Sequence, residues 1–432
     1  MAADAVPAKR LRVVVDALNR DLAQGTGINT YARMLHEALA ELGHRPSWLF
    51  GRASAGAGDP VAAEVTFHDP PTPTVGLRRQ LQAAGRLWRG ATQARIAADR
   101  LAPQGVVVAG EAEPGLEGSF NAPELYRQAA FRHELMGKFT EAALPEPVDI
   151  FHQTTPLPVS VAGARLVSSI PDLIPLRLPA TTPDDKERYL RLVRECAARA
   201  SLITTLSEAS KDDIVRLLGV APEKVAVTYL TSDIRPLSPE DAGRTPRVLE
   251  KFGLTSGGYL LFVGAIEPKK NLRRLIEAYL EIDTEQPLVI VGRKAWMWEQ
   301  EIGHIEALGE RARRRLVFPG YVGRGDLPFL YAGATALAFP SLYEGFGLPP
   351  VEAMTMGCPV LTSDVAPLKE VCGEAALFAD PYSSADIRRQ LERLIGDAEL
   401  RGRLSAAGLA RAGEFSRERF VERLGRAYAL LS

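Results

Sequence analysis

Short apolar runs alternate with longer amphipathic stretches along most of this chain. Leu11–Val15 reads as a buried strand. Tyr31–Leu42 follows, with apolar residues at Leu35, Ala38, Leu39 and Leu42, the spacing of a helix with one buried face, and Gly43 is a fitting stop. Further strands are expected at Asp149–Phe151, Leu166–Ile170, Leu202–Leu206 and Val225–Tyr229, with helices over Pro183–Ala200 and Ser207–Leu218 between them. The alternation restarts after residue 255: strand Tyr259–Val263, helix Asn271–Tyr279, then strands Leu288–Val291, Leu316–Phe318, Ala336–Phe339 and Pro359–Thr362. Such alternation implies parallel sheets covered on both faces. Two blocks of it imply an α/β chain of two doubly wound domains, residues 1–235 and 250–415. Arg235–Arg247, rich in Pro, Ser, Asp and Gly, is the expected linker. A last helix lies within 416–432, with Phe420, Leu424, Tyr428 and Leu431 on one face.

Residues 51–130 fit this pattern poorly and read as an insertion in the first domain. Within them Leu77–Arg100 has Leu77, Leu81, Ala84 and Trp88 at helical spacing, and carries Arg78, Arg79, Arg86, Arg89, Arg95 and Arg100 against one acid, Asp99. That is either a surface helix packed by its apolar stripe or a cationic helix that meets anionic lipid headgroups.

Composition narrows the classes. The 432 residues carry 52 Lys plus Arg against 53 Asp plus Glu, a net charge of −1, which excludes binding of nucleic acid through bulk charge. Cys196, Cys358 and Cys372 show no paired spacing, so neither a disulfide framework nor a structural zinc site is expected. No apolar run reaches the roughly 18–20 residues that span a bilayer, and the N-terminus lacks a signal-peptide core. A cytoplasmic protein, peripheral on the inner membrane face if the cationic stretch binds lipid, is the expectation.

The densest candidate chemistry is the stretch Pro340–Met354. It follows a buried strand, and Gly345 and Gly347 let a ligand approach the backbone. Pro349 or Pro350 opens a helix, so backbone N–H groups gather at a helix N-terminus, an arrangement that suits phosphate. Glu352, expected in the first turn of that helix, can accept two hydrogen bonds from a vicinal diol such as a ribose, and Glu344 stays on the loop. Lys269 and Lys270 end a second strand-to-helix turn, where an ammonium reaches a diphosphate. Arg293 and Lys294 follow a third strand, and Gly25-Thr26-Gly27 follows the first strand of the chain. Ligands collect at the carboxyl ends of strands in open α/β sheets.

These residues resemble glycosyltransferase family 4, the retaining nucleotide-sugar transferases. Glu344 and Glu352 look like the E-x7-E motif of that family, and Gly264–Leu272, Leu288–Lys294, Gly320–Val322, Thr205–Glu208 and Gly357–Asp364 match its other stretches. The resemblance implies a GT-B fold, two Rossmann-like domains facing each other across a cleft. It places Glu352 on the donor ribose and Glu344 on the donor sugar or transition state. It puts the amides of Phe346, Gly347 and Leu348 on the distal phosphate and sugar, Lys270 on the leaving diphosphate, and Tyr321 and Val322 in the base pocket. Asp172 falls on the acceptor side, and His152 is a second candidate there. No metal or other cofactor is needed in the family's scheme; the nucleotide sugar is a co-substrate. Two positions depart from the family pattern. Ala265 stands where many members carry Arg, a charge that Lys269, Arg293 or Lys294 would replace, and Pro171 stands where many carry His. The resulting expectation is hexose transfer from GDP-mannose, or next UDP-hexose, to a saccharide or lipid-linked acceptor in surface-polysaccharide or glycoconjugate synthesis. The alternatives are a non-catalytic nucleotide-sugar scaffold or a two-carboxylate glycoside hydrolase.

Overall fold

Val13, Val14 and Val15 are all fully buried, which is why the first strand is a continuous apolar run rather than an alternating one. The computed structural model describes residues 10–20, 27–53, 59–69, 92–101, 107, 118–320 and 322–431. Among them an eight-stranded sheet runs, in spatial order, Val225–Val227, Leu202–Thr205, Arg165–Ser169, Ile150–Gln153, Arg12–Asp16, Arg45–Phe50, Phe120–Asn121 and Asp99–Arg100. Its neighbours pair in parallel except for the last pair, which is antiparallel. A six-stranded, all-parallel sheet runs Leu316–Val317, Leu288–Val291, Leu260–Val263, Ala336–Phe339, Val360–Ser363 and Ala376–Ala379. In each sheet the first strand in sequence has its successor on one side and a later strand on the other. The connections therefore diverge there and leave a crevice at the strands' carboxyl ends. The crevice of the six-stranded sheet lies between the ends of Leu260–Val263 and Ala336–Phe339.

Two local expectations are corrected. Arg235–Arg247 is not an open linker: Pro239–Glu250 is a helix, with Ser238 capping the Asp241 amide at 3.1 Å and Pro239 at its first position. Ser, Pro and Asp are turn formers, but Ser before Pro followed by two acids is also how helices begin. Thr245, Val248 and Leu249 then give the helix a buried face. The Leu77–Arg100 helix does not reach its expected end, because Arg95–Ala97 is a strand paired with Glu141–Ala143. Arg95 and Arg100 are ion-paired with Glu141 and Glu146. Arg78, Arg79, Arg86 and Arg89 lie outside the described residues.

Helix Arg417–Ala429 packs on the first helix of the chain, Gly27–Glu41. Phe420 meets Tyr31 edge to face, and Arg417 bonds both Glu37 and Glu41. Beneath it, the fully buried His152 has Nδ1 at 2.7 Å from the Tyr428 hydroxyl and Nε2 at 2.9 Å from the Ser169 hydroxyl. Burial pulls the ring's pKa down to about 3, so it is neutral in the fold. Unfolded, it takes a proton near pH 6.5. Its contribution is thus complete above about pH 6.5 and falls by up to about 1.4 kcal/mol per pH unit below it. Urea unfolding at pH 7.5 and 5.5 should show the wild type losing more stability on acidification than His152→Phe. Equal losses would contradict this account of the network.

Candidate functional site

The crevice of the six-stranded sheet is built by two loops stitched together. Asn271 adopts φ +60 and its amide donates to the carbonyls of Pro340, at 2.9 Å, and Pro381, at 2.7 Å. The Leu342 amide donates to the Lys269 carbonyl at 2.8 Å. These bonds fix the loop after Leu260–Val263 against the loop after Ala336–Phe339, and Lys270 Nζ lies 2.5 Å from Glu344 Oε1. The Glu344 side chain is buried. Burial alone raises its pKa, but the Lys270 and Lys269 ammoniums outweigh that and hold the carboxyl below the usual range. Glu344 is therefore an ionised carboxylate at neutral pH. Lys269 also pairs with Glu267 at 3.3 Å; the surrounding acids keep it charged despite its burial.

The helix that follows is Leu348–Thr355, which makes Glu352 its fifth residue rather than part of the first turn. The start shifts because Gly347, at φ +103, makes the turn itself, and a Cβ there would lie 2.5 Å from Leu368 Cδ2. Pro349 and Pro350 bring no N–H, so the free amides at this helix start belong to Gly347 and Leu348. The Phe346 ring is buried against Phe415, at 5.2 Å between centroids. Glu352 is almost fully buried, and Tyr331, itself fully buried, donates its hydroxyl to Glu352 Oε2 at 2.7 Å. Burial pushes the Glu352 carboxyl up to about 7, and the Tyr331 hydrogen bond works against that rise.

The eight-stranded sheet supplies the facing wall. Gly345 has no room for a side chain: a Cβ would lie 2.7 Å from Asp172 Oδ2. Asp172 is partly buried and its carboxyl is raised, chiefly by desolvation, with Lys269 pulling it back down. Gly27 is the first residue of its helix, and a Cβ there would lie 4.0 Å from Leu348 Cδ2. Glu344, Lys269, Lys270, Gly345, Phe346, Gly347, Leu348 and Asp172 thus gather at one place, with Gly27 across from the helix start and Glu352 on that same helix. Other expected residues do not join them. Val322 packs against the core, and Tyr321 lies outside the described residues. Lys294 turns its ammonium onto the Trp298 ring, 3.5 Å from the centroid, and Arg293 is exposed. His152 is enclosed under the last helix, with both ring nitrogens engaged, because its strand is central and covered on both faces. It does not line the acceptor wall.

The structure adds residues the sequence did not reveal. Tyr331 reads as packing in a helix, and only the fold puts it on Glu352. Arg324 spans the two halves, donating to Thr30 Oγ1 at 2.7 Å and Asp233 Oδ2 at 2.8 Å. Asp16, at the end of the first strand, binds the Thr154 amide and hydroxyl across the crevice of the eight-stranded sheet, and burial raises it to about 6. Among the described residues no cluster of three or more His, Cys, Asp or Glu is arranged to hold a metal ion, and no helix is long and apolar enough to cross a membrane.

Residues 249–411 match the family described as Glycosyl transferases group 1. The O-antigen chain mannosyltransferase B of Escherichia coli is 37% identical over 276 residues, covering 62% of this chain and 71% of that one. The chain belongs to the glycosyltransferase group 1 family. Serotype-specific mannosyltransferase WbdA of Escherichia coli is 30% identical to this glycosyltransferase over 275 residues, 61% of this chain but 33% of that one. Solved structures share its fold along nearly the whole length. Sucrose-phosphate synthase from Thermosynechococcus elongatus has a TM-score of 0.66 at 17% identity, covering 98% of this chain and 99% of that one. Anabaena HepE in complex with UDP has a TM-score of 0.63 at 16% identity, covering 97% and 99%. The α/β architecture of two parallel sheets is thus the GT-B fold, and the chain is a glycosyltransferase enzyme rather than a hydrolase or an inert scaffold.

Proposed function

We propose that this glycosyltransferase moves mannose from GDP-mannose, with retention at the anomeric carbon, to a saccharide or lipid-linked acceptor in surface-polysaccharide synthesis. The observation that carries the reaction is the part-buried Lys270–Glu344 pair in the crevice, beside the helix start at Gly347. The choice of mannose rests on the O-antigen mannosyltransferase named above. UDP-hexoses are the next donors in line.

In this reading Glu352 accepts the ribose diol, and the amides of Phe346, Gly347 and Leu348 take the distal phosphate. Lys270, supported by Lys269, neutralises charge on the departing diphosphate, and such stabilisation of developing charge is commonly the largest catalytic contribution. Glu344 faces the sugar as it gains oxocarbenium character. Asp172 borders the acceptor side. Gly27, facing Leu348, borders the donor from the other half. No step calls for a metal ion. A panel of nucleotide sugars, offered with mannose-terminated saccharides, should release nucleoside diphosphate fastest from GDP-mannose. A faster UDP-hexose would overturn the sugar assignment, and no release from any donor would overturn the reading itself.

A further inference from the structure

The helix Glu208–Leu218 belongs to the eight-stranded half, yet it grips the donor loop of the other half at several points. The Ser207 hydroxyl donates to the Gly345 carbonyl at 2.7 Å, and the Ser210 hydroxyl lies 3.2 Å from the same oxygen. One turn further on, Asp213 Oδ2 accepts the Tyr343 hydroxyl at 2.8 Å. Glu370, from the six-stranded half, accepts the free amides of Glu208, at 2.7 Å, and Ala209, at 3.0 Å. Ser207 and Ser210 are fully enclosed, so their bonds to Gly345 do not compete with water.

A carbonyl and the N–H of the next residue point in opposite directions across a trans peptide. No peptide bond among the described residues is cis, so holding the Gly345 oxygen toward Ser207 aims the Phe346 N–H away from Ser207. Asp172 presses on Gly345 from the same half, where a Cβ would lie 2.9 Å from the Asp172 Cβ. The peptide is therefore held from the half of the molecule that does not carry it.

We propose that Ser207, assisted by Ser210, is a positioning residue for donor binding: its hydroxyl sets the plane of the Gly345–Phe346 peptide and so aims the Phe346 amide at the donor's distal phosphate. This rests on the reading of that amide as a phosphate ligand. It ties the geometry of the phosphate site to contact between the two halves, because the amide is aimed only while Ser207 reaches Gly345.

Ser207 also caps its own helix, accepting the Ser210 amide at 3.0 Å, so the test must separate the two roles. Glycine keeps most of the stability of a serine N-cap while removing the hydroxyl, and threonine retains both the cap and the donor. The probes are GDP and GMP, with UDP and UMP as a second pair, titrated calorimetrically into the full-length chain. The wild type should bind the diphosphate more tightly than the monophosphate. In Ser207→Gly that preference should shrink about tenfold, with monophosphate affinity unchanged, and Ser207→Thr should restore it. Should Ser207→Gly not fold, Ser210→Ala, which leaves the Ser207 cap in place, should show a smaller shrinkage in the same direction. A wild-type preference in the folded variant would overturn the positioning role. A wild type that does not distinguish diphosphate from monophosphate in either pair would overturn the phosphate reading and this inference with it.

Discussion

Glu344→Gln is expected to lower turnover with GDP-mannose about 10²–10³-fold, the range for losing one preorganised electrostatic contact to a transition state. Donor affinity should change far less. The substitution keeps the side chain's volume and removes its charge, so it separates electrostatics from packing. It also leaves the Lys270 and Lys269 ammoniums without their shared carboxylate, 2.5 Å from Lys270 in the wild type. Breaking a fully buried pair by removing one partner typically costs about 3–5 kcal/mol of stability, an upper bound for this part-buried one. Melting temperature therefore has to be read beside turnover. A variant that melts lower yet keeps wild-type kcat would make Glu344 a structural partner of Lys270 and remove it from the chemistry.

Glu352→Ala should act in the opposite manner. Hydrogen bonds to a charged group contribute about 1.5–3 kcal/mol each, so losing the diol acceptor should raise the donor KM by one to two orders of magnitude, roughly, with a smaller effect on kcat. The substitution also orphans the buried Tyr331 hydroxyl, which otherwise donates to Glu352 at 2.7 Å. The pair Glu352→Ala/Tyr331→Phe removes that penalty and isolates the ligand effect. A pH signature accompanies it. A protonated carboxyl loses part of its capacity to accept, and burial has raised this group to about 7. Donor affinity of the wild type should therefore be full above about pH 7 and weaken as the pH falls through it, while the alanine variant should lack this dependence. Equal KM and equal kcat for Glu344 and Glu352 variants would overturn the division of roles between them.

Much of this site was legible in the sequence because its signals are local. A buried strand followed by glycines and prolines announces a strand-to-helix turn, and Glu344 and Gly347 are placed by that turn alone, whereas Glu352 falls later in the helix than the prolines suggest. Lys270 is placed by a second such turn, and the divergence of strands at the sheet's switch point brings the two together. What was hidden depends on distant contacts. Nothing near Tyr331 in sequence points to Glu352, and Ser207 reads as a helix cap, which it is, without disclosing that its proton goes to Gly345, 138 residues away. His152 carried an ambiguous signal: a histidine at the end of an apolar strand suits either a cleft or an enclosed network, and the final helix, by covering it with Tyr428, decides for the latter. The misread linker has the same origin. Ser238-Pro239-Glu240-Asp241 favours a turn or a helix start equally, and the apolar face at Val248 and Leu249 settles it as a helix.

We propose above that this glycosyltransferase uses the Lys270–Glu344 crevice to transfer mannose from GDP-mannose with retention. The most direct measurement is the reaction of the wild-type chain with GDP-mannose and a mannose-terminated saccharide, following GDP release and reading the new linkage by NMR. GDP should form in step with an α-linked mannosyl product. A β-linked product would contradict retention, and the absence of both GDP and product would contradict the claim as a whole.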